Sequence, residues 1–183
     1  MLALWILLGV LGVILLYGVY AYNRLVRTRN RVDNAWSQID VQLRRRYDLI
    51  PNLVEAVKGY AAHEREVFEH VADARSQAQQ ASTVGDQAQA ENQLTRGLRR
   101  LIAVAENYPQ LKASQNFLAL QEELTATESK IAYARQFYND EAALLNTYIQ
   151  SFPSAIVARF GNFAPRQFFD IDDPVRGPVS VDI

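Results

Sequence analysis

Two histidines and several glutamates lie close together in this chain: His63, Glu64, Glu66, Glu69 and His70. On a helix, His63, Glu66 and His70 share one face, a spacing that lets imidazole and carboxylate groups converge on a cation. A carboxylate metal bundle asks for more. It takes Glu-x-x-His from each of two helices and further glutamates from the other two. Here both histidines fall in one segment, and neither Glu-x-x-His nor His-Glu-x-x-His occurs. Glu122, Glu123 and Glu128 could supply oxygens, but exposed helix faces are commonly rich in glutamate held by i,i+4 pairing. A metal-binding bundle is therefore the lesser alternative, and no metal or cofactor is expected.

Arg44-Arg45-Arg46 could touch a phosphate or anionic lipid, but three arginines beside a helix turn read more simply as a solvated corner or a set of cap contacts. Asp40 and Asp48 are candidate partners for them. Asn34, Asn52, Arg135 and Asn139 fall on helical seams, where buried polar groups can fix the alignment of neighbouring helices. The alternative is that these seam residues line a pocket that senses a small ligand. The chain has no cysteine, which removes thiolate metal sites, disulfides and a cysteine nucleophile. No phosphate loop, dinucleotide fingerprint or nucleophile elbow occurs, so no enzyme activity is expected.

The elements that must position these residues are helical. Leu25, Val32, Trp36, Ile39 and Leu43 recur at three- and four-residue steps. Pro51 disfavours helix at Ile50, so a turn or kink is expected there, with Asp48 as N-cap. A second helix then runs to about Ser82 on an inner stripe of Leu53, Val57, Tyr60, Glu64, Val67, Val71 and Ala74. Val84-Gly85-Asp86 supplies a break and a new cap. A third helix carries Leu94, Leu98, Leu101 and Ala105 and stops at Tyr108-Pro109. A fourth carries Phe117, Leu120, Leu124, Ile131, Tyr138 and Leu145, and reaches Phe152 before Pro153. None of these stripes is stable alone in water, and short connections favour antiparallel neighbours. The expected fold is all-α: an N-terminal transmembrane helix followed by an antiparallel up-down four-helix bundle of long helices. A kink at Pro51 in place of a turn would leave three helices, the first very long. After Pro153 about one more turn of helix is expected, and from Gly161 on the prolines and glycines interrupt regular structure. Phe160, Phe163, Phe168 and Phe169 are expected to pack against the bundle end, the alternative being that they form a partner-binding patch.

Leu2 to Tyr22 contains no charge. As a helix it rises roughly 30 Å, the thickness of a bilayer's hydrocarbon core. It is longer than a signal-peptide core and lacks a basic residue before it, which favours an uncleaved anchor. Arg24, Arg27, Arg29 and Arg31 crowd its C-terminal side, so the positive-inside rule places the remaining chain in the cytoplasm. The expected domains are an anchor over 1–23, a helical bundle over 24–160 and an irregular tail over 161–183. The formal net charge of −1 gives no basic surplus for nucleic acid.

Several strings together resemble the LemA family. They are Asn34-Ala35-Trp36, Ile39-Asp40, the run from Arg46-Tyr47-Asp48 through Ile50-Pro51-Asn52 to Val54, Val57-Lys58-Gly59-Tyr60 and His63-Glu64. Ala105-Glu106-Asn107-Tyr108-Pro109, Ala134-Arg135-Gln136-Phe137-Tyr138-Asn139 and Phe152-Pro153-Ser154 follow in the expected order. One departure is Leu145-Asn146, where the family often has a second Tyr-Asn. The resemblance implies a bacterial membrane protein with an N-terminal anchor and a helical-bundle domain, and no known catalytic activity. With the orientation above, the expected location is the inner membrane, as a single-pass protein. The motif residues are then structural or interaction positions. The expected role is an interaction or scaffold module, with the bilayer and an envelope protein as partners and a second copy as a further candidate.

Overall fold

The computed structural model of the chain describes residues 1–170. Among them every regular element is a helix: α1 (Leu2–Lys58), α2 (Arg65–Gln80), α3 (Val84–Glu106), α4 (Pro109–Lys112), α5 (Gln115–Gln150) and α6 (Ser154–Phe160). The all-α expectation holds. The residues beyond Asp170, including Pro174, Gly177 and Pro178 of the expected tail, lie outside the described range.

Helix α1 is long because its buried stripe never breaks. Ala21, Leu25, Thr28, Val32, Ala35, Ile39, Leu43, Arg46, Ile50, Leu53 and Val57 are all buried and follow one another at steps of three or four. That spacing keeps one face of a helix turned inward. Pro51 stands on the outer face of the same helix, so the turn expected there, with Asp48 as its cap, does not form. The physical difficulty is real, since proline has no N–H to give the carbonyl four residues back. That carbonyl belongs to Tyr47, and Arg75 of α2 donates its Nε to it at 2.9 Å. The lost backbone donor is replaced by a side chain from a neighbouring helix. The break comes eight residues later, at Gly59, and Tyr60, expected on an inner stripe, is exposed.

The described residues group into two compact units. One comprises Met1–Val41 with Ile131–Phe168, and the other comprises Gln42–Lys130 with residues 169–170. In the first, Arg24 meets Tyr148 and Trp36 meets Tyr138, so α1 and α5 run antiparallel. In the second, Lys58 lies over Phe68 while Tyr47 meets Arg75, which makes α1 and α2 antiparallel. Helices α2 and α3 are antiparallel as well, Gln87 reaching Ala78 and Gly97 lying against His70. A methyl group at Gly97 would come within 3.1 Å of His70 and 3.3 Å of Val71, so glycine sets how closely these two helices approach. Thr83 caps α3, accepting from the Asp86 N–H and donating to its carboxylate.

If Arg75 replaces the donor that Pro51 removes, the two positions are energetically coupled. Arg75→Ala is expected to destabilise the protein by about 1–3 kcal/mol. The same change costs less in a Pro51→Ala background, where the alanine N–H takes the Tyr47 carbonyl. Thermal unfolding of the four-member mutant cycle measures this, and simple additivity would contradict it.

Candidate functional site

The most constrained group of side chains is an ionic cluster inside the Gln42–Lys130 unit. Arg46 is 1% exposed and Glu91 fully buried. The stripe of α1 delivers Arg46 inward at a position where a hydrophobe would ordinarily stand. Its Nη1 donates to Glu91 Oε2 at 3.0 Å and its Nη2 to Thr95 Oγ1 at 2.8 Å, one turn along α3. Its Nε lies 3.0 Å from the Glu128 carboxylate on α5, close enough to pair but poorly aligned for a hydrogen bond. The Tyr47 hydroxyl donates to the other Glu91 oxygen. Gln87 completes the group, its amide nitrogen reaching Tyr47, the Glu91 carboxylate and the Ala78 carbonyl at 2.9–3.1 Å.

Burial raises the Glu91 carboxyl above its ordinary 4.5, and the charge of Arg46 and the donors Tyr47 and Gln87 work against that rise. Burial also pushes the Tyr47 phenol upward, and the Glu91 charge adds to it, so the hydroxyl keeps its proton and remains a donor. The cluster has donors, acceptors and opposite charges matched to one another, with no group held ready to attack or to give up a proton to a substrate. Its chemical work is to hold α1, α3 and α5 in register.

A second set of contacts belongs to the other unit. After α6 the chain returns as an extended strap. The Asn146 amide donates to the Arg166 carbonyl at 2.9 Å and accepts from the Arg166 N–H at 2.8 Å. Tyr138 donates to the Gln167 carbonyl at 2.8 Å while its ring packs on Trp36. Phe163 is buried, edge-on to the Tyr22 ring with Arg29 above it. A side chain at Gly161 would strike the Phe163 ring at 2.6 Å, so glycine is what lets this ring fold back. Of the tail aromatics expected to pack, Phe163 and Phe169 are buried, whereas Phe160 and Phe168 are exposed.

The motif residues distribute unevenly. Arg46 and Tyr138 are buried, Trp36, Asp40, Glu64, Tyr108, Arg135 and Asn139 are half-buried, and Asn34, Asp48, Pro51, Asn52, Tyr60 and Pro109 are exposed. Asn34 and Asn52 therefore do not belong to a buried seam. The arginine run is not a uniformly solvated corner either. Arg45 pairs at the surface with Glu123, and Arg46 is a core residue. Glu91, Gln87 and Thr95 were not singled out from the sequence. Their signal was there, since Gln87, Glu91 and Leu94 step along one face of α3. His63 and His70 are exposed, and among the described residues no three His, Asp or Glu side chains are grouped to hold a metal. A cleft of about 730 Å³ opens at the α1–α2 turn, lined by Glu55, Lys58, Gly59, Ala62, Arg65, Phe68 and Glu69. None of the four seam residues lines it.

Long antiparallel helices, an apolar N-terminal stretch and a buried Arg-Glu cluster define an all-α helical protein. The chain belongs to the LemA family, whose model matches residues 35–183. It is similar to magnetosome protein MamQ of Magnetospirillum gryphiswaldense and to MamQ 2 of Paramagnetospirillum magneticum, each 26% identical over 174 residues and covering 81% of this chain. It is also similar to protein LemA of Metamycoplasma hominis, 27% identical over 158 residues, covering 85% of this chain and 72% of that protein. The chain spans 64% of the length of the magnetosome relatives.

The ionic cluster predicts a pH-dependent defect. Arg46→Met leaves Glu91 buried without its main partner, and breaking such a pair costs about 3–5 kcal/mol at neutral pH. The native state already holds the Glu91 proton more tightly than the unfolded chain. This group therefore favours folding most below 4.5, and that advantage is lost as pH rises through its folded value. The Arg46→Met defect should accordingly shrink in mild acid, where Glu91 takes a proton, and Arg46→Met with Glu91→Leu should recover most of the stability. Unfolding curves across pH check both, and a defect equally large in acid would contradict the assignment.

Proposed function

We propose that this chain is a single-pass membrane protein of the LemA type, a helical module that binds other proteins at the bacterial cell envelope and carries out no catalysis itself. The observation that supports the anchor most is the burial profile of α1. Its apolar N-terminal stretch is long enough to cross a membrane, and none of its most apolar window is buried by the fold. Leu, Ile and Val side chains exposed on every side are unfavourable in water and favourable in lipid. Four arginines, Arg24, Arg27, Arg29 and Arg31, follow the stretch, and by the positive-inside rule they favour a cytoplasmic location for the helices beyond it.

A binding role is supported by what the described polar groups do. Arg46, Glu91, Tyr47 and Gln87 bond to one another, and the names of the relatives above specify no reaction. Exposed Tyr133, Phe137 and Leu144 sit at steps of four and seven along α5 and so share one outer face. That face is the surface we assign to an envelope protein partner.

Three experiments test these parts separately. After an alkaline wash of fractionated cells, the full chain is expected to stay with membranes. Leu8→Arg with Leu15→Arg, at about 2.5–3.5 kcal/mol per arginine, is expected to release it, and retention of that variant contradicts the anchor. Photo-crosslinking in living cells from positions 133 and 137 is expected to capture one reproducible envelope protein. Adducts only between copies of this chain would replace the partner with a homo-oligomer. Because the chain has no cysteine, a Ser82→Cys variant gives the orientation. Labelling by an impermeant reagent in cells with a permeable outer envelope would contradict a cytoplasmic domain.

A further inference from the structure

We propose that Phe152, Ile156 and Phe160 form a second membrane contact, an apolar edge that inserts among anionic phospholipids beside the spanning part of α1. The inference rests on the anchor reading above and deepens it. It concerns only the unit built from Met1–Val41 and Ile131–Phe168.

The first argument is depth. Leu2 to Tyr20 rises roughly 28 Å as a helix, the full hydrocarbon thickness, so Tyr17 to Arg24 falls at the boundary with the headgroups. Burial begins there without a linker, because Tyr20 is exposed and Ala21 is 4% exposed. The end of α5 and the start of α6 stand at this level. A cleft of about 230 Å³ has Tyr148, Phe152 and Ser154 on one side and Tyr17, Tyr20 and Arg24 on the other. Arg24 fixes the alignment, with its guanidinium 4.3 Å from the centre of the Tyr148 ring and one nitrogen 3.1 Å from the Tyr20 hydroxyl. Phe152 is therefore held beside the membrane boundary by contacts of its own neighbours.

The second argument is exposure. Phe152 is 83% exposed and Phe160 86%, and Ile156 stands between them one helical turn from Phe160. Ala158, on the other side of α6, is buried, and the next ring along, Phe163, turns inward. The segment thus packs one aromatic and leaves two exposed with Ile156 between them in sequence, an arrangement that water disfavours and an acyl layer favours. The third argument is charge. The sequence has no Asp or Glu before Asp33, and none between Glu141 and Asp170. The same two stretches contain Arg24, Arg27, Arg29, Arg31, Arg159 and Arg166. Arg166 is paired with Asp33, and the other five arginines leave a cationic surplus. An apolar edge beside it matches an anionic lipid surface, and its continuity with the apolar stretch of α1 selects lipid over a protein partner.

Tryptophan fluorescence of the full chain in phosphatidylcholine–phosphatidylglycerol vesicles, with or without brominated acyl chains, tests this. Single-tryptophan proteins are made with Trp36→Phe alone, which keeps Trp5, and with Trp5→Phe and Trp36→Phe plus Phe152→Trp, Phe160→Trp or Tyr133→Trp. Emission at positions 5, 152 and 160 is expected to fall roughly twofold with brominated lipid, and emission at 133 to stay unchanged. Quenching at 5 without quenching at 152 and 160 overturns the second contact and leaves the anchor intact. No quenching at 5 overturns the anchor and this inference with it. If Phe160→Trp lowers helicity by circular dichroism, Ile156→Trp takes its place with the same expected and overturning results.

Discussion

Arg46 and Tyr47 sit one turn before Pro51, and between them they hold two neighbouring helices. The Arg46 guanidinium and the Tyr47 hydroxyl meet the Glu91 carboxylate of α3, while the Tyr47 carbonyl takes its hydrogen bond from Arg75 of α2. A proline inside a helix and a charge inside a core are each costly alone. Here the same two residues resolve both. The carbonyl that proline strands faces a donor, and the charge that the stripe carries inward faces its counter-charge. Buried ionic groups often give alignment more than stability, because only one arrangement of the helices satisfies them. Moving α3 by one turn against Arg46 would strand an arginine and a carboxylate together.

The unit containing the first part of α1 is organised differently. It uses aromatic rings and a strap in place of buried charge. Trp36 on Tyr138, Tyr22 on Phe163 and the paired bonds between Asn146 and Arg166 tie α1, α5 and the returning chain to one another. The Arg166–Asp33 pair at 2.7 Å is solvent-exposed and adds little beyond placement. Toward the N-terminus this packing ends sharply between Ala21 and Tyr20. The apolar stretch and the first packed turn are consecutive parts of one helix, so no flexible spacer separates them.

Much of this was legible in the residues. Apolar spacing gave the helices, and Tyr108-Pro109 marked a real end, whereas Val84-Gly85-Asp86, expected as a break, form the first turn of α3 behind the Thr83 cap. Family strings named Arg46, Trp36 and Tyr138, which the structure puts in the buried pair with Glu91 and in the ring contact between α1 and α5. Pro51 was misleading because a local rule was overruled by a distant side chain, and nothing near position 51 announces that Arg75 will supply a donor. The end of α1 was overlooked at Gly59 because apolar residues continue on both sides of it. The ionic cluster escaped for a related reason. Gln87 and Glu91 look like ordinary surface residues until the partner at Arg46 is known to lie inside. The two exposed phenylalanines could not be separated from the two buried ones by composition, since which ring turns inward is decided by the path after Gly161.

The central claim is that α1 is one uninterrupted helix, from the apolar stretch through the first packed turn and past Pro51. Amide hydrogen exchange of the full chain in lipid nanodiscs reads it directly. The account predicts continuous protection from Leu4 to about Leu53, with no fast-exchanging gap at Tyr20–Arg24 and none on either side of Pro51. A rapidly exchanging gap at either place would contradict it. The first would mean a flexible joint between the apolar stretch and the packed helices, and the second a true turn where Arg75 is said to hold the helix together.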